Sequence, residues 1–259
     1  MAGRFVWLKT SPQRVETVIG DIKFGSEPRF SFYAMLLVSS LIASIGLIAD
    51  STAVIIGAML VSPLMTPIFG IALSMLRGDT RLFWKAVSTE VLGVIIAVGV
   101  AFILGMLPLA IEATPEMLAR TKPNLLDLLV AVFAGFAGTF AIIDERVSPA
   151  LPGVAIATAI VPPLSNTGLC LALGATGGAI GSFTLFVAIF FAILLIGALT
   201  FAAAGMQTKT AKLKQKDLAR NFLFAVAGFV FVSVLLTQSL VNMVSERRNT
   251  RIVSTIIND

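Results

Sequence analysis

The sequence predicts an all-α, polytopic membrane protein with about seven transmembrane helices, and three observations predict it. First, 57% of the residues are hydrophobic and only 13% charged, with a mean hydropathy of +0.97. An ordinary soluble domain carries about 25% charged residues. Second, no charge interrupts residues 30–49, 51–76, 91–111, 147–208 or 221–245, and about 20 apolar residues suffice to cross a bilayer. Third, residues 54–73 and 154–173 align without a gap and share seven of twenty positions. A proline falls at the centre of each segment, at Pro63 and Pro163. A pair of interrupted apolar segments in corresponding halves is the pattern of a transporter built from two repeats.

The elements follow in order. Residues 1–29 are too polar for a cleavable signal and read as a cytoplasmic N-terminal segment. Within it, Ser11-Pro12 has the form of an N-cap and first helical position. Val15, Val18, Ile19 and Ile22 then make a one-sided stripe, which predicts a short helix lying along the membrane surface. The first span is 30–49. The second, 51–76, is broken by Pro63-Leu64-Met65-Thr66-Pro67, and a third runs from about 86 to 109. Residues 30–110 form the first membrane repeat and 111–124 a polar connecting loop. The second repeat, 125–206, holds spans at 125–143, at 149–173 (broken at Pro162-Pro163) and at 180–205. Residues 207–245 comprise a basic loop and a seventh helix, and 246–259 a polar tail.

Orientation follows from Lys and Arg in the short loops. With the N-terminus cytoplasmic and every segment crossing, 14 of the 19 fall inside. That places the protein in the plasma membrane with its N-terminus in. Each three-span unit crosses an odd number of times, so the second is inverted relative to the first. The architecture is thus two inverted three-helix repeats with discontinuous second helices, plus one extra helix.

Proline inside a helix removes an amide and frees the carbonyl four residues back. In hydrocarbon such backbone persists only where protein or a water-filled cavity satisfies it. Thr66-Pro67 reads as N-cap and first helical position of a half-helix, and Asn166 occupies the matching cap in the second repeat. Helix N-termini favour anions, while freed carbonyls suit alkali cations. The candidate substrate site is therefore Ser62, Pro63, Thr66, Pro67, Pro162, Pro163, Ser165, Asn166 and Thr167. Packing kinks re-paired by neighbouring helices are the competing account of the same prolines.

Asp50, Asp144 and Glu145 precede the broken helices and read either as helix-end groups or as gates. Glu90 lies deeper, as a coupling group or as a side chain snorkelling toward Lys85 or Trp84. Histidine is absent and Cys170 is the sole cysteine, so neither a metal site, a cofactor nor an internal disulfide is expected. No serine elbow, paired intramembrane aspartates or P-loop occurs, so no enzyme is expected. The scattered basic residues do not form a nucleic-acid surface. The expected partners are the lipid bilayer, a small solute or ion, and further copies of the chain. A secondary transporter fits best, with an ion channel or a membrane scaffold as alternatives.

Residues 43–79 read ASIGLIADSTAVIIGAMLVSPLMTPIFGIALSMLRGD and residues 148–164 read SPALPGVAIATAIVPPL. These two stretches resemble the signature segments of the prokaryotic uncharacterised hydrophobic domain family, domain of unknown function 389. The resemblance covers about residues 30–240. It implies a multi-pass membrane protein of prokaryotes and supplies no substrate.

Overall fold

The computed structural model describes residues 11–108, 111–144, 146, 150–207, 223, 226–231 and 233–234, with the backbone alone at 150–159. Among the described residues all regular structure is helical. In order these are α1 (Pro12–Gly25), α2 (Phe30–Ile48), α3 (Thr52–Val61), α4 (Met65–Arg77), α5 (Thr80–Gly105), α6 (Pro115–Ala119), α7 (Leu125–Ile143), α8 (Ala150–Ala172) and α9 (Thr176–Ala203). Helices α2, α5, α7 and α9 are each long and apolar enough to cross a membrane. Helices α3 and α4, bent by 50° at a short break, would together make a fifth span. Of the expected seventh span, 223, 226–231, 233 and 234 are helical. The rest of it, the basic loop and the tail lie outside the described residues.

Local chemistry sets several helix starts. The Ser11 hydroxyl accepts the Arg14 amide at 3.2 Å, with Pro12 at the first position, as the sequence anticipates. Asn124 and Asp127 form a reciprocal capping box at α7. Gly78 ends α4 in the left-handed region, at φ 66°, and Asp79 Oδ1 then accepts the Leu82 amide at 3.0 Å to start α5.

Two ends of the bundle can be told apart by their contacts. At one, Thr114 donates to the Leu47 carbonyl, the Glu116 amide to Asp50, and Ser182 to the Arg120 carbonyl. This end gathers the C-termini of α2 and α8 with the N-termini of α3 and α9. At the other, Arg14 donates to the carbonyls of Ile142 and Ile143 at the end of α7. Arg77 donates there to Met206, and Lys23 pairs with Asp79 at 3.0 Å.

Between the ends the packing is that of close-set membrane helices, where lipid removes the hydrophobic drive and small residues admit near backbone approach. Gly93, Ala97, Ala101 and Gly105 line one buried face of α5. A Cβ placed on Gly168 of α8 would lie 2.3 Å from the Val98 carbonyl oxygen, and one on Gly105 would lie 2.7 Å from Ala172 Cβ. Helix α1, expected as a short helix along the membrane surface, packs on the bundle. Its apolar stripe is satisfied by protein, with Val18 and Ile22 fully buried in the core and α4 and α7 packed against it.

Candidate functional site

The break between α3 and α4 begins at Ser62, whose backbone is extended (φ −74°, ψ 129°). The residue before a proline is pushed out of the helical region by the proline ring. The carbonyls this releases are paired again. Met59 accepts the Ser62 amide at 3.3 Å and Pro63 accepts the Thr66 amide at 3.2 Å. Ser39 of α2 donates to Ala58 at 2.7 Å, and Ser26 donates to Thr66 at 3.2 Å. Helix α4 starts at Met65, with Leu64 in the cap position and no side-chain cap bond. Thr66 is therefore not the N-cap. It lies in the first turn with Pro67, whose missing amide falls among the unpaired amides of any helix start.

An open groove of about 220 Å³ reaches Pro63 and Thr66 from the end of the bundle that carries α1. Phe24, Glu27, Arg29 and Phe32 line its walls. Glu27 bridges Lys85 at 2.8 Å and Arg29 at 3.0 Å. These two cations, the Lys85 bond foremost, hold its carboxyl below the usual range. The Arg29 guanidinium sits 3.4 Å over the Phe24 ring, a cation–π contact. The mouth thus joins fixed charges to aromatic faces, while the groove floor is the broken backbone.

The second proline pair behaves differently. Helix α8 continues through Pro162 and Pro163, which corrects the expectation of a second discontinuous helix. Residue 161 is valine, with no hydroxyl to support a turn as Ser62 supports the Leu64 amide at 3.5 Å. All of residues 160–170 are buried, and the tight seat of Gly168 on α5 holds the helix in line. Asn166 is consequently no cap. Its Nδ2 donates to the Met117 carbonyl at 3.0 Å and to Ser182 at 2.7 Å, tying α8 to α6 and α9. Its Oδ1 is buried with no partner among the described residues. Ser165 faces the Ser40 carbonyl of α2 at 3.5 Å, and Thr167 donates to Pro163 at 2.7 Å.

The two proline segments meet different residues, and α2 links them. Leu36 and Phe32 pack where Leu64 reaches Gly93. Ser40, one helical turn beyond Leu36, meets Ser165. Ser26, Met117 and Ser182, which join these segments to the rest of the bundle, carry no sequence signal for it because each acts through a long-range contact.

The carboxylates separate by role. Asp50, itself in the left-handed region at φ 52°, accepts the Glu116 amide, and Ser51 caps α3. Asp144 ends α7 and grips Arg146 through both oxygens, at 2.9 and 2.7 Å. Glu145 and the Ser148-Pro149 pair lie outside the described residues. Glu90 is only 4% exposed, and neither of its oxygens has a partner among the described residues. Neither oxygen reaches Lys85, whose ammonium pairs with Glu27 at 2.8 Å.

Among the described residues these features define a helical bundle with four helices able to cross a membrane, or five if the bent α3–α4 pair is one span. The chain belongs to the domain of unknown function 389 family (DUF389), whose sequence model matches residues 59–195, from the last turn of α3 into α9. It is similar to the uncharacterized protein MJ0678 of Methanocaldococcus jannaschii, with 29% identity over 198 residues. The match covers 76% of this chain and 61% of that protein, so the chain spans less than two thirds of the relative's length. No solved structure matches.

Proposed function

We propose that the chain is a non-enzymatic membrane transporter that carries a small solute or ion past the α3–α4 break. The observation that carries this reading is the open groove that ends on Pro63 and Thr66. An interrupted helix at membrane depth is tolerated where protein buries it or where it lines a cavity, and this one has a groove beside it. Transporters place their sites at such discontinuities.

We read α2, α3–α4 and α5 as one unit and α7, α8 and α9 as its inverted copy, followed by a seventh helix. The alternation of helix ends supports this, as does the gap-free match of 54–73 with 154–173. The loop charges in this reading favour a cytoplasmic α1 end. In this reading Ser62, Pro63 and Thr66 meet the solute. Ser165, Asn166 and Thr167 brace the wall one turn deeper, and α3–α4 moves against the glycine-clamped α5–α8 pair.

The test is a thermal-shift panel of chloride, phosphate, glycine, glutamate, Na⁺ and K⁺ on the purified protein, followed by counterflow of any stabilising solute in proteoliposomes. Saturable counterflow reduced at least tenfold by Thr66→Val supports the reading. Unitary current steps would instead mean a channel. No stabilisation and no flux across a broadened panel would sink it.

A further inference from the structure

Helices α2, α3, α8 and α9 contain no Asp, Glu, Lys or Arg, and α4 contains none before Arg77. Glu90 therefore meets no charged side chain from α2, α3, α8 or α9. A lone ionised carboxylate out of water is among the costliest groups a membrane protein can hold, so it is retained with a partner or a task.

Its place on α5 is fixed by its neighbours. Ala86, Glu90 and Gly93 share one helical face, at i, i+4 and i+7. A Cβ on Gly70 would sit 3.1 Å from Ala86, and a Cβ on Gly93 would sit 2.9 Å from Leu64. Glu90 therefore lies between those two contacts, opposite the segment from Leu64 to Gly70 that contains the start of α4. The adjacent Thr89 donates to the Ser26 carbonyl at 3.0 Å, and the Ser26 hydroxyl in turn holds the Thr66 carbonyl. Glu90 is thus one residue along α5 from the Thr89–Ser26–Thr66 chain of bonds that braces the start of α4.

We propose that Glu90 is the binding site of an exchangeable monovalent cation, a proton or an alkali ion, beside the first turn of α4. The proposal rests on the reading of the break as the transport site, and it assigns that site its coupling ion. Glu27, which follows Ser26, is already neutralised by Lys85 and Arg29. Among the described residues Glu90 therefore offers a single unpaired carboxyl group that calls for one positive charge, which argues against a divalent ion. The nearby fixed charges are spent elsewhere: Lys85 on Glu27, and Lys23 on Asp79. The other titratable side chains on the packed helices are Tyr33 of α2, whose buried hydroxyl also lacks a partner among the described residues, and Cys170 near the far end of α8. Binding the cation removes the charge beside α4, and losing it restores that charge. The break therefore has two electrostatic states.

The experiment uses the full chain in nanodiscs of uncharged lipid, wild type against Glu90→Gln and Glu90→Asp. One arm varies pH at fixed salt, and the other exchanges Na⁺ or K⁺ for choline at fixed pH. Infrared difference spectra and melting temperatures are the readouts. Wild type is expected to show a carboxyl band that changes in one arm, naming the ion, together with a cation-dependent melting temperature. Glu90→Gln should lose both while melting no lower than wild type, and Glu90→Asp should keep the band with a displaced midpoint. A wild-type response retained in Glu90→Gln, or no carboxyl band in either arm, would overturn the proposal. A wild-type cation response without any stabilising solute leaves this proposal standing and removes the transport reading. The reverse pattern removes only this proposal.

Discussion

Residues 54–73 and 154–173 align without a gap and share a central proline, yet one segment breaks and the other does not. What decides the outcome is the surroundings of each proline. Pro63 sits on a half-buried stretch beside a groove, after a serine free to turn extended. Pro163 sits in a fully buried stretch, with Gly168 a turn further on and locked against the α5 backbone. A proline pair therefore marks where a membrane helix is weak, and tertiary packing settles whether the weakness becomes a break.

The largest effect should come from the lock. Gly168→Ala puts a methyl 2.3 Å from a backbone oxygen and 2.7 Å from Ala101, and neither neighbour can swing away. Overpacking of this kind costs about 1–3 kcal/mol or more, so loss of the monodisperse peak or a strongly lowered melting temperature is expected. Gly57→Ala in α3 meets nothing within 4 Å. There the gain from replacing a helical glycine is about 0.5–1 kcal/mol, and the melting temperature should rise. Equal behaviour of the two variants would mean that α8 is not held by α5.

The prolines should also respond with opposite signs. Pro163→Ala returns an amide to a helix that is already formed, worth about 1 kcal/mol net, and leaves the groove intact. Pro63→Ala lifts the restriction on Ser62, so spin labels on α3 and α4 should report a bend smaller than 50°. Stabilisation by any solute found for wild type should disappear with it. If Pro63→Ala leaves the interlabel distance unchanged, the bend is imposed by packing and the contrast between the two proline segments needs another cause.

Next comes Asn166→Ala. It leaves the Met117 carbonyl without its donor and removes the bond to Ser182. Orphaning a buried polar group costs about 1–3 kcal/mol. Hydrogen exchange should then loosen first around α6, with the α3–α4 break unaffected.

Much of this was legible in the sequence. Ser11-Pro12 starts α1, uncharged runs outline the long helices, and Pro63 interrupts the second. These are local signals, carried by residue type and spacing. Three features were not legible. Helix α4 begins two residues before the position that Thr66-Pro67 advertises, α8 ignores its prolines, and Asn166 serves α6 rather than a helix end. Each depends on a partner far along the chain: Ser26 for Thr66, Val98 for Gly168, Met117 for Asn166. Only folding supplies such partners, and spacing along the sequence carries no trace of them.

The smallest expected effect concerns the acids that precede α3 and α8. Asp50 is bound to the Glu116 amide across a loop, whereas Asp144 is bound locally to Arg146, whose side chain is exposed. The Arg146 side chain first, and then its amide, pull the Asp144 carboxyl from 3.8 down to about 2. A carboxylate lowered on folding stabilises the fold fully above its unfolded value and loses that contribution as pH falls through its folded value. Asp144 should thus help at neutral pH and cease to help between about pH 4 and pH 2. Because the Arg146 side chain is exposed, salt screening keeps the pair's contribution small. Asp144→Asn should lower the melting temperature slightly at pH 7 in low salt, and the difference from wild type should vanish on acidification. A difference that grows toward pH 3 would show that Asp144 works against the fold there, and the two acids would then not be equivalent helix-end groups.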